Sequence, residues 1–462
     1  MQIVTPRPVP AADLDTGALA HWLHGFTFEA IPPAVLSAAK AFILDTVAVA
    51  WAATRAAGMP GALNAVLAEG GKPLSTLWGS AERLGPGAAA FYNGALASAF
   101  DYDSFHLTVG HSDAVVVPAA LAVAEAAQRD GRAVLAAYVA ASELGFRLGR
   151  AISSTGGWFR TSTVGVFSAS VAAAKLQDLN AAQIQHGLGI ALGLASGTQQ
   201  PHIERRLTKR LQPGYAARAG VYAAQLAAQG ISGPHAPFDG QFGLYALYDA
   251  GDPHAAFADL GETYLLHDTG LKKFPTCACS HAAIQAALEL CATHALDEAA
   301  IERIEIDLSA YANRLVGAPF SDAGDTEVTA QFSVRYAVAV ALANGAFTLN
   351  DLLPEQVRSA RIRALIERIT LNVDARETSN MVPATVRVVT RDGVRHEHTV
   401  DRLPGERDWP LSVQERRQKA WDALVSGERG LSDAAAGALI ERIDNLERVR
   451  DVAGLYEGLL SQ

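Results

Sequence analysis

IERIEIDLSA, residues 301–310, alternates apolar and polar side chains with a period of two, the pattern of a half-buried β-strand. Two later stretches share it: RITLNVDA (368–375) and ATVRVVTRDGVRHEHTV (384–400), where Asp392 and Gly393 supply a hairpin turn. Between them, QFSVRYAVAVALANG (331–345) has helical spacing. Upstream the texture differs throughout. From about Asp13 to Leu266 the chain reads as alanine-rich helices broken by Gly, Pro and Asn, such as 33–54, 133–152, 165–176, 181–196 and 216–230. From SVQERRQKAWDAL (412–424) onward it returns to helix. The expected fold is mainly α: a large all-helical domain formed by residues 1–267 and completed by 401–462, with a smaller α+β lid domain, residues 268–400, inserted between. A cleft between two such domains is a common place for a small-molecule site.

Composition narrows the function. Half of the 462 residues are apolar and 19% are charged, which suits a well-packed globular protein with some apolar area left for a subunit interface. The formal charge of -10 argues against nucleic acid, whose phosphates need a basic face. The apolar runs, such as TVAVAWAAT and AVVVPAALAVA, stop short of a membrane span, and MQIVTPRPVPAADLD reads as a proline-stiffened arm before a helix cap rather than a signal segment. Cys277, Cys279 and Cys291 make no disulfide framework, so a reducing cytoplasm is expected.

Three clusters could carry chemistry. In AFDYDSFHLTVGHSDAVVVPAAL (99–121), Asp101, Asp103, His106, His111 and Asp113 crowd into thirteen residues that cannot share one helical face; Gly110 marks a loop. Carboxylates beside imidazoles orient the ring and tune its basicity for acid–base work. Helix caps facing water, or a metal site, are the alternatives, though no diagnostic ligand spacing appears. In HIERRLTKRLQPGYAARAG (202–220), Arg205, Arg206, Lys209 and Arg210 interrupt an anionic protein; a solvated turn is the plain reading. The small residues Gly214, Ala216, Ala217, Ala219 and Gly220 instead indicate a tightly packed helix that holds Lys209 near a buried position. In LKKFPTCACSHAAIQAAL (271–288), Lys272, Lys273, Cys277, Cys279 and His281 sit at the expected domain junction; C-x-C-x-H lacks a second ligand pair, and the three cysteines lack a cluster spacing. Dinucleotide, phosphate-loop, nucleophile-elbow and HExxH motifs do not occur. Neither a metal nor a cofactor is expected.

Taken in order, FILDTVAVAWA, YNGALASAFDYDSFHLTVGHSDAVVVPAALAVAE, LTKRLQPGYAARAGVYAAQLAAQGISGP with FDGQFGLY, LKKFPTCACSHAAIQAAL and LPGERDWPLSVQE resemble the MmgE/PrpD family, over nearly the whole length. Its members include 2-methylcitrate dehydratase, cis-aconitate decarboxylase and iminodisuccinate epimerase. The resemblance implies a homodimer without cofactor and a site in the cleft. By motif, Asp101, His111, Lys209, Lys272 and Tyr311 match catalytic positions; His106, Arg160, Lys273 and His281 are expected to bind substrate. His111 is the expected base or acid, oriented by Asp101, and Lys209 and Lys272 the cations that stabilise an enediolate. Two departures stand out: Ser104–Phe105 where members carry D-D-T, and Phe159 where many carry His, followed by Arg160. The activity implied is proton abstraction beside a carboxylate of a small di- or tricarboxylic acid, as a dehydratase-like hydro-lyase. An epimerase of an amino-dicarboxylate, or a non-catalytic polycarboxylate-binding protein, is the alternative.

Overall fold

In a computed structural model, residues 15–153, 156–321, 325–377, 380–426 and 429–459 are described, and the chain is mainly α. The arm expected at 1–14 lies outside them, but Asp15 caps the first helix by accepting from the Ala18 amide at 2.8 Å.

Six helices of the first half frame the site: α1 (Pro33–Ala52), α2 (Pro86–Ala99), α3 (Asp113–Ala126), α4 (Gly131–Arg150), α5 (Arg160–Leu176) and α6 (Thr208–Ala228). Small residues let α6 press against its neighbours. A β-carbon at Gly214 would stand 2.2 Å from the Phe91 carbonyl oxygen on α2, and one at Gly220 2.4 Å from Ala169 on α5. These contacts fix the height of Lys209 in the first turn of α6, and burial of Lys209 follows as the small-residue pattern predicts.

Two short pairings then join distant parts of the chain. β1 (Phe105–His106) runs antiparallel to β2 (Thr269–Gly270), with Phe105 opposite Gly270. This bridge brings Lys272 beside the acidic loop. The alternating stretches form one four-stranded sheet from β3 (Ile301–Ser309), β4 (Ile369–Asp374), β5 (Ala384–Thr390) and β6 (Arg395–Val400), in the order β4-β3-β5-β6. β3 and β4 are parallel and the other pairs antiparallel, with Asp392 and Gly393 in the expected hairpin. Ile301, Ile304 and Ile306 turn inward with Val386 and Val388, on the sheet that α7 (His281–His294) covers with α8 (Val334–Asn344) packed on α7, while the charged alternates face water.

The last long helix, α9 (Val413–Ser426), returns to the first half of the chain. Lys419 makes a buried pair with Asp45 of α1 at 2.7 Å, donates to the Tyr102 carbonyl at 2.8 Å and lies over the Tyr102 ring. The expectation about spans needs one correction. By length and composition Pro33–Arg55 could cross a membrane, because a short 3₁₀ turn extends the helix beyond the quoted apolar run. Yet 67% of its apolar window is buried inside the fold, and it carries the Asp45–Lys419 pair. Those are properties of a core helix.

Candidate active site

The acidic loop begins where α2 ends. Asp101 has a φ of 52°, a left-handed conformation that Asp tolerates better than most residues, and the turn drops its carboxylate into the interior. There it meets two ammonium groups. Lys209 Nζ donates to Asp101 Oδ1, and Lys272 Nζ lies 3.0 Å from Oδ2 while also donating to the Asp101 carbonyl at 2.7 Å. Burial alone would raise the Asp101 carboxyl, but Lys209, Lys272 and His111 outweigh it and hold the group well below the ordinary carboxylate range. For Lys272 burial works against the charge, and Asp101 and Asp103 reverse the balance, so its ammonium is held above the usual lysine value.

His111 closes the cluster. Its Nδ1 lies 3.0 Å from both oxygens of Asp103, which as a carboxylate can only accept, so Nδ1 carries the proton. Its Nε2 lies 3.2 Å from Asp101 Oδ1 and 3.4 Å from Lys209 Nζ. Burial, helped by the two lysines, keeps the ring below the usual histidine value despite Asp103 and Asp101. At neutral pH this is a neutral imidazole with its basic nitrogen turned toward the ammonium groups. The orienting carboxylate is therefore Asp103 rather than Asp101: a left-handed turn at 101 sends the two Asp side chains to opposite nitrogens of the ring.

The expected substrate-binding residues divide. Arg160, at the start of α5, pairs with Asp249 at 3.4 Å, and its charge acts on Tyr311. Tyr311 also has Cys277 and Cys279 as electrostatic neighbours; burial first, then those thiols, pushes its phenol up to about 12. Cys277 in turn feels Asp101 and Lys272, which places Tyr311 on the Cys277 side of the cluster. His106, Lys273 and His281 each have a partner outside the Asp101–His111–lysine cluster. His106 stacks on Phe146 with ring centres 4.0 Å apart and meets the Leu265 carbonyl at 3.2 Å, because β1 aims it at α4. Lys273 donates to Gln285 at 3.2 Å on α7, since consecutive lysines point to opposite sides. His281 is fully buried at the head of α7, edge-on to Phe274 and 3.3 Å from the Thr276 carbonyl.

Other parts of the site carried no signal in the sequence beyond the family departure at Phe159. Phe332 lies 5.3 Å, ring centre to Nζ, from Lys209, and Phe159 lies 5.9 Å away on another side. Phe159 also faces His111, so the departure noted at that position makes an apolar wall. Arg210, the neighbour of Lys209, turns away to Glu327 at 2.7 Å and to Gln331, whose own amide donates to the Ala99 carbonyl at 3.1 Å. Gln331 thus ties α6 to the end of α2, and nothing in its local sequence marks it.

Asp101, Asp103 and His111 offer three potential metal-ligand atoms within 4.8 Å of one another, the one such group among the described residues. Both oxygens of Asp101 already face ammonium groups and His111 Nδ1 is taken by Asp103, so a cation would have to displace a lysine. Surface cavities of about 590 Å³ lie elsewhere, one beside Asp307, Asp374 and Arg387 and one beside Phe42, Thr269 and Arg407. At the cluster itself, Asp101, Lys209 and Lys272 are 4% exposed or less and the His111 side chain 13%. The two ammonium groups are thus covered, with the Asp101 carboxylate between them.

Comparison with known proteins places the chain among relatives over nearly its whole length. The MmgE/PrpD N-terminal domain matches residues 17–256 and the MmgE/PrpD C-terminal domain residues 274–442. A cis-aconitate decarboxylase of Aspergillus terreus is 25% identical over 96% of this chain and 95% of its own. The cis-aconitate decarboxylase of Homo sapiens is 26% identical over 95% of this chain and 93% of its own, and that of Mus musculus 25% identical over 95% and 92%.

Proposed function

This chain belongs to the MmgE/PrpD family, and from that premise we propose that it is a lyase acting on a small polycarboxylic acid by proton transfer at the carbon beside a carboxylate. One observation carries the reading: a neutral, carboxylate-oriented imidazole and two buried ammonium groups converge on a single point, now filled by Asp101.

A substrate carboxylate takes over the ammonium groups from Asp101. Carbon acids beside a carboxylate are weak because ionisation piles charge onto the same oxygens, so cations poised at those oxygens lower the barrier most. Lys209 and Lys272 fill that role, in surroundings dry enough for their charge to act strongly. His111 Nε2 exchanges the proton with carbon. Asp103 holds the Nδ1–H and stabilises the imidazolium that forms when Nε2 takes a proton.

In place of that proton abstraction, loss of carbon dioxide generates the same kind of carbanion and suits the walls best. The C–C electron pair stays on the carbon, spreads into the remaining carboxylate and is quenched by a proton that Nε2, bare at rest, first takes from solvent. Phe159 and Phe332 offer no hydrogen bond to a departing group and strip water from a carboxylate, which favours dispersal of its charge. The relatives named above are decarboxylases of cis-aconitate. Dehydration is the second reading, supported by Tyr311, whose phenol keeps its proton and can give it to a leaving hydroxyl.

The test uses the full chain in deuterated buffer with cis-aconitate, citrate, 2-methylcitrate and aspartate-like acids, followed by NMR. The expected result is one acid that loses carbon dioxide and gains one deuterium at the adjoining carbon. Label at a stereocentre with no bond broken would make it an epimerase instead. Thermal stabilisation by an acid with no turnover of any would make it a binding protein.

A further inference from the structure

Among the buried imidazoles that the reading above leaves unused, His202 packs on the same aromatic ring as Lys209. His202 lies in the short turn Gln200–Ile203, just before α6, and is 9% exposed. Its ring packs on Phe332 with centres 4.4 Å apart, and Lys209 Nζ lies 5.3 Å from the centre of the same ring. His202 and Lys209 therefore both lie against one aromatic ring. The charges that act on His202 are Lys209, Asp101, His111 and Lys272, the four groups of the site.

Its Nε2 is buried and has no hydrogen-bond partner among the described residues. Buried polar atoms in folded proteins are nearly always paired, and an open one is costly to keep. Here the contrast is local. Asp101, Asp103, His111, Lys209 and Lys272 all satisfy one another, while His202, packed on the same Phe332 ring as Lys209, keeps an open nitrogen. The aromatic walls Phe159 and Phe332 offer nothing to fill it.

We infer that His202 is a substrate-recognition residue, its Nε2–H donating to a carboxylate oxygen of the bound acid beside the one held by Lys209. The inference rests on the proposed function and extends it from the reacting carbon to the rest of the ligand. Burial, then Lys209, pushes the ring down to about 3, so it is neutral at working pH and offers one N–H without adding a third cation. A neutral donor discriminates by geometry, because a ligand with no oxygen at that spot leaves the nitrogen unpaired.

If His202 were only an aromatic filler against Phe332, phenylalanine would replace it without penalty. The experiment compares His202→Phe and His202→Gln with the unchanged chain, using the acid that the panel above identifies. His202→Phe should raise KM about 10-fold or more while kcat stays within about threefold, and His202→Gln, which keeps an N–H, should recover part of the loss. Imidazole-¹⁵N NMR of the unchanged chain, with the His202 signals assigned by their absence from His202→Gln, gives a readout that does not depend on the Phe variant folding. On addition of the acid the Nε2 resonance should shift. Wild-type KM in His202→Phe, or an Nε2 signal indifferent to saturating acid, overturns the inference while leaving the lyase reading intact. If the unchanged chain neither binds nor converts any acid of the panel, the lyase reading falls, and this inference with it.

Discussion

The thirteen residues from Asp101 to Asp113 supply two buried carboxylate clusters with opposite fates. Asp101 and Asp113 are equally buried, at 2% and 0% exposure. Asp101 meets two ammonium groups and an imidazole and stays ionised far into acid. Asp113 accepts only from neutral hydroxyls, Ser104 and Tyr138 at 2.7 Å, and burial, opposed by those two hydrogen bonds, lifts its carboxyl to about 6. Burial is common to both. The partners differ, and with them the chemistry: one cluster holds mobile charge ready for an anion, the other knots β1 to α3 and α4.

The sharpest way to break this contrast is to remove a cation from the first cluster. Lys209→Met should cut kcat by about 100- to 1000-fold and destabilise the fold by about 3–5 kcal/mol, since a buried pair loses one partner. Turnover and urea unfolding measure the two. Next in size is Asp103→Asn, which removes the carboxylate that holds the Nδ1–H; a fall of about 100-fold in kcat/KM is expected. Its pH profile adds a signed check. The rate changes where His111 titrates, below the ordinary histidine value: activity lost as pH falls marks Nε2 as the base of a proton abstraction, activity gained marks it as the acid that quenches a decarboxylation, and without Asp103, which raises the ring, either limb moves to still lower pH.

The second cluster should answer in stability rather than rate. The folded state favours protonated Asp113, so its contribution is fully present below pH 3.8 and is lost as pH rises through about 6. Between pH 4 and 7 the unchanged chain should therefore lose about 3 kcal/mol that Asp113→Asn does not, with turnover little altered. Parallel stability–pH curves would refute the assignment. The smallest effect is expected from His106→Phe, which keeps the stack on Phe146 and loses the Leu265 contact: about 1 kcal/mol of stability and a KM within about twofold.

The same stretch shows what the sequence could and could not tell. Strands β3 to β6 and the Asp392–Gly393 hairpin were legible because alternation is a backbone property read one residue at a time. Burial of Lys209 was legible too, since Gly214 and Gly220 declare how closely α6 approaches its neighbours. Direction was not. Asp101 and Asp103 are two residues apart in a loop without periodicity, and only the left-handed turn at 101 decides which nitrogen of His111 each one meets. Local density likewise suggested His106, Lys273 and His281 as ligand-binding groups, but strand pairing and helix packing turned each to a partner of its own. His202 escaped notice because a four-residue turn carries no pattern and its significance comes from Phe332, 130 positions along the chain.

The central claim is that His111 moves a proton to or from carbon while Lys209 and Lys272 hold the anion. It is tested most directly by proton NMR in deuterated buffer, comparing the unchanged chain with His111→Ala, matched by circular dichroism, on the acid it converts. The account predicts deuterium entering the carbon beside the carboxylate at least about 100-fold more slowly in the variant. Equal rates of labelling in the two proteins would contradict it.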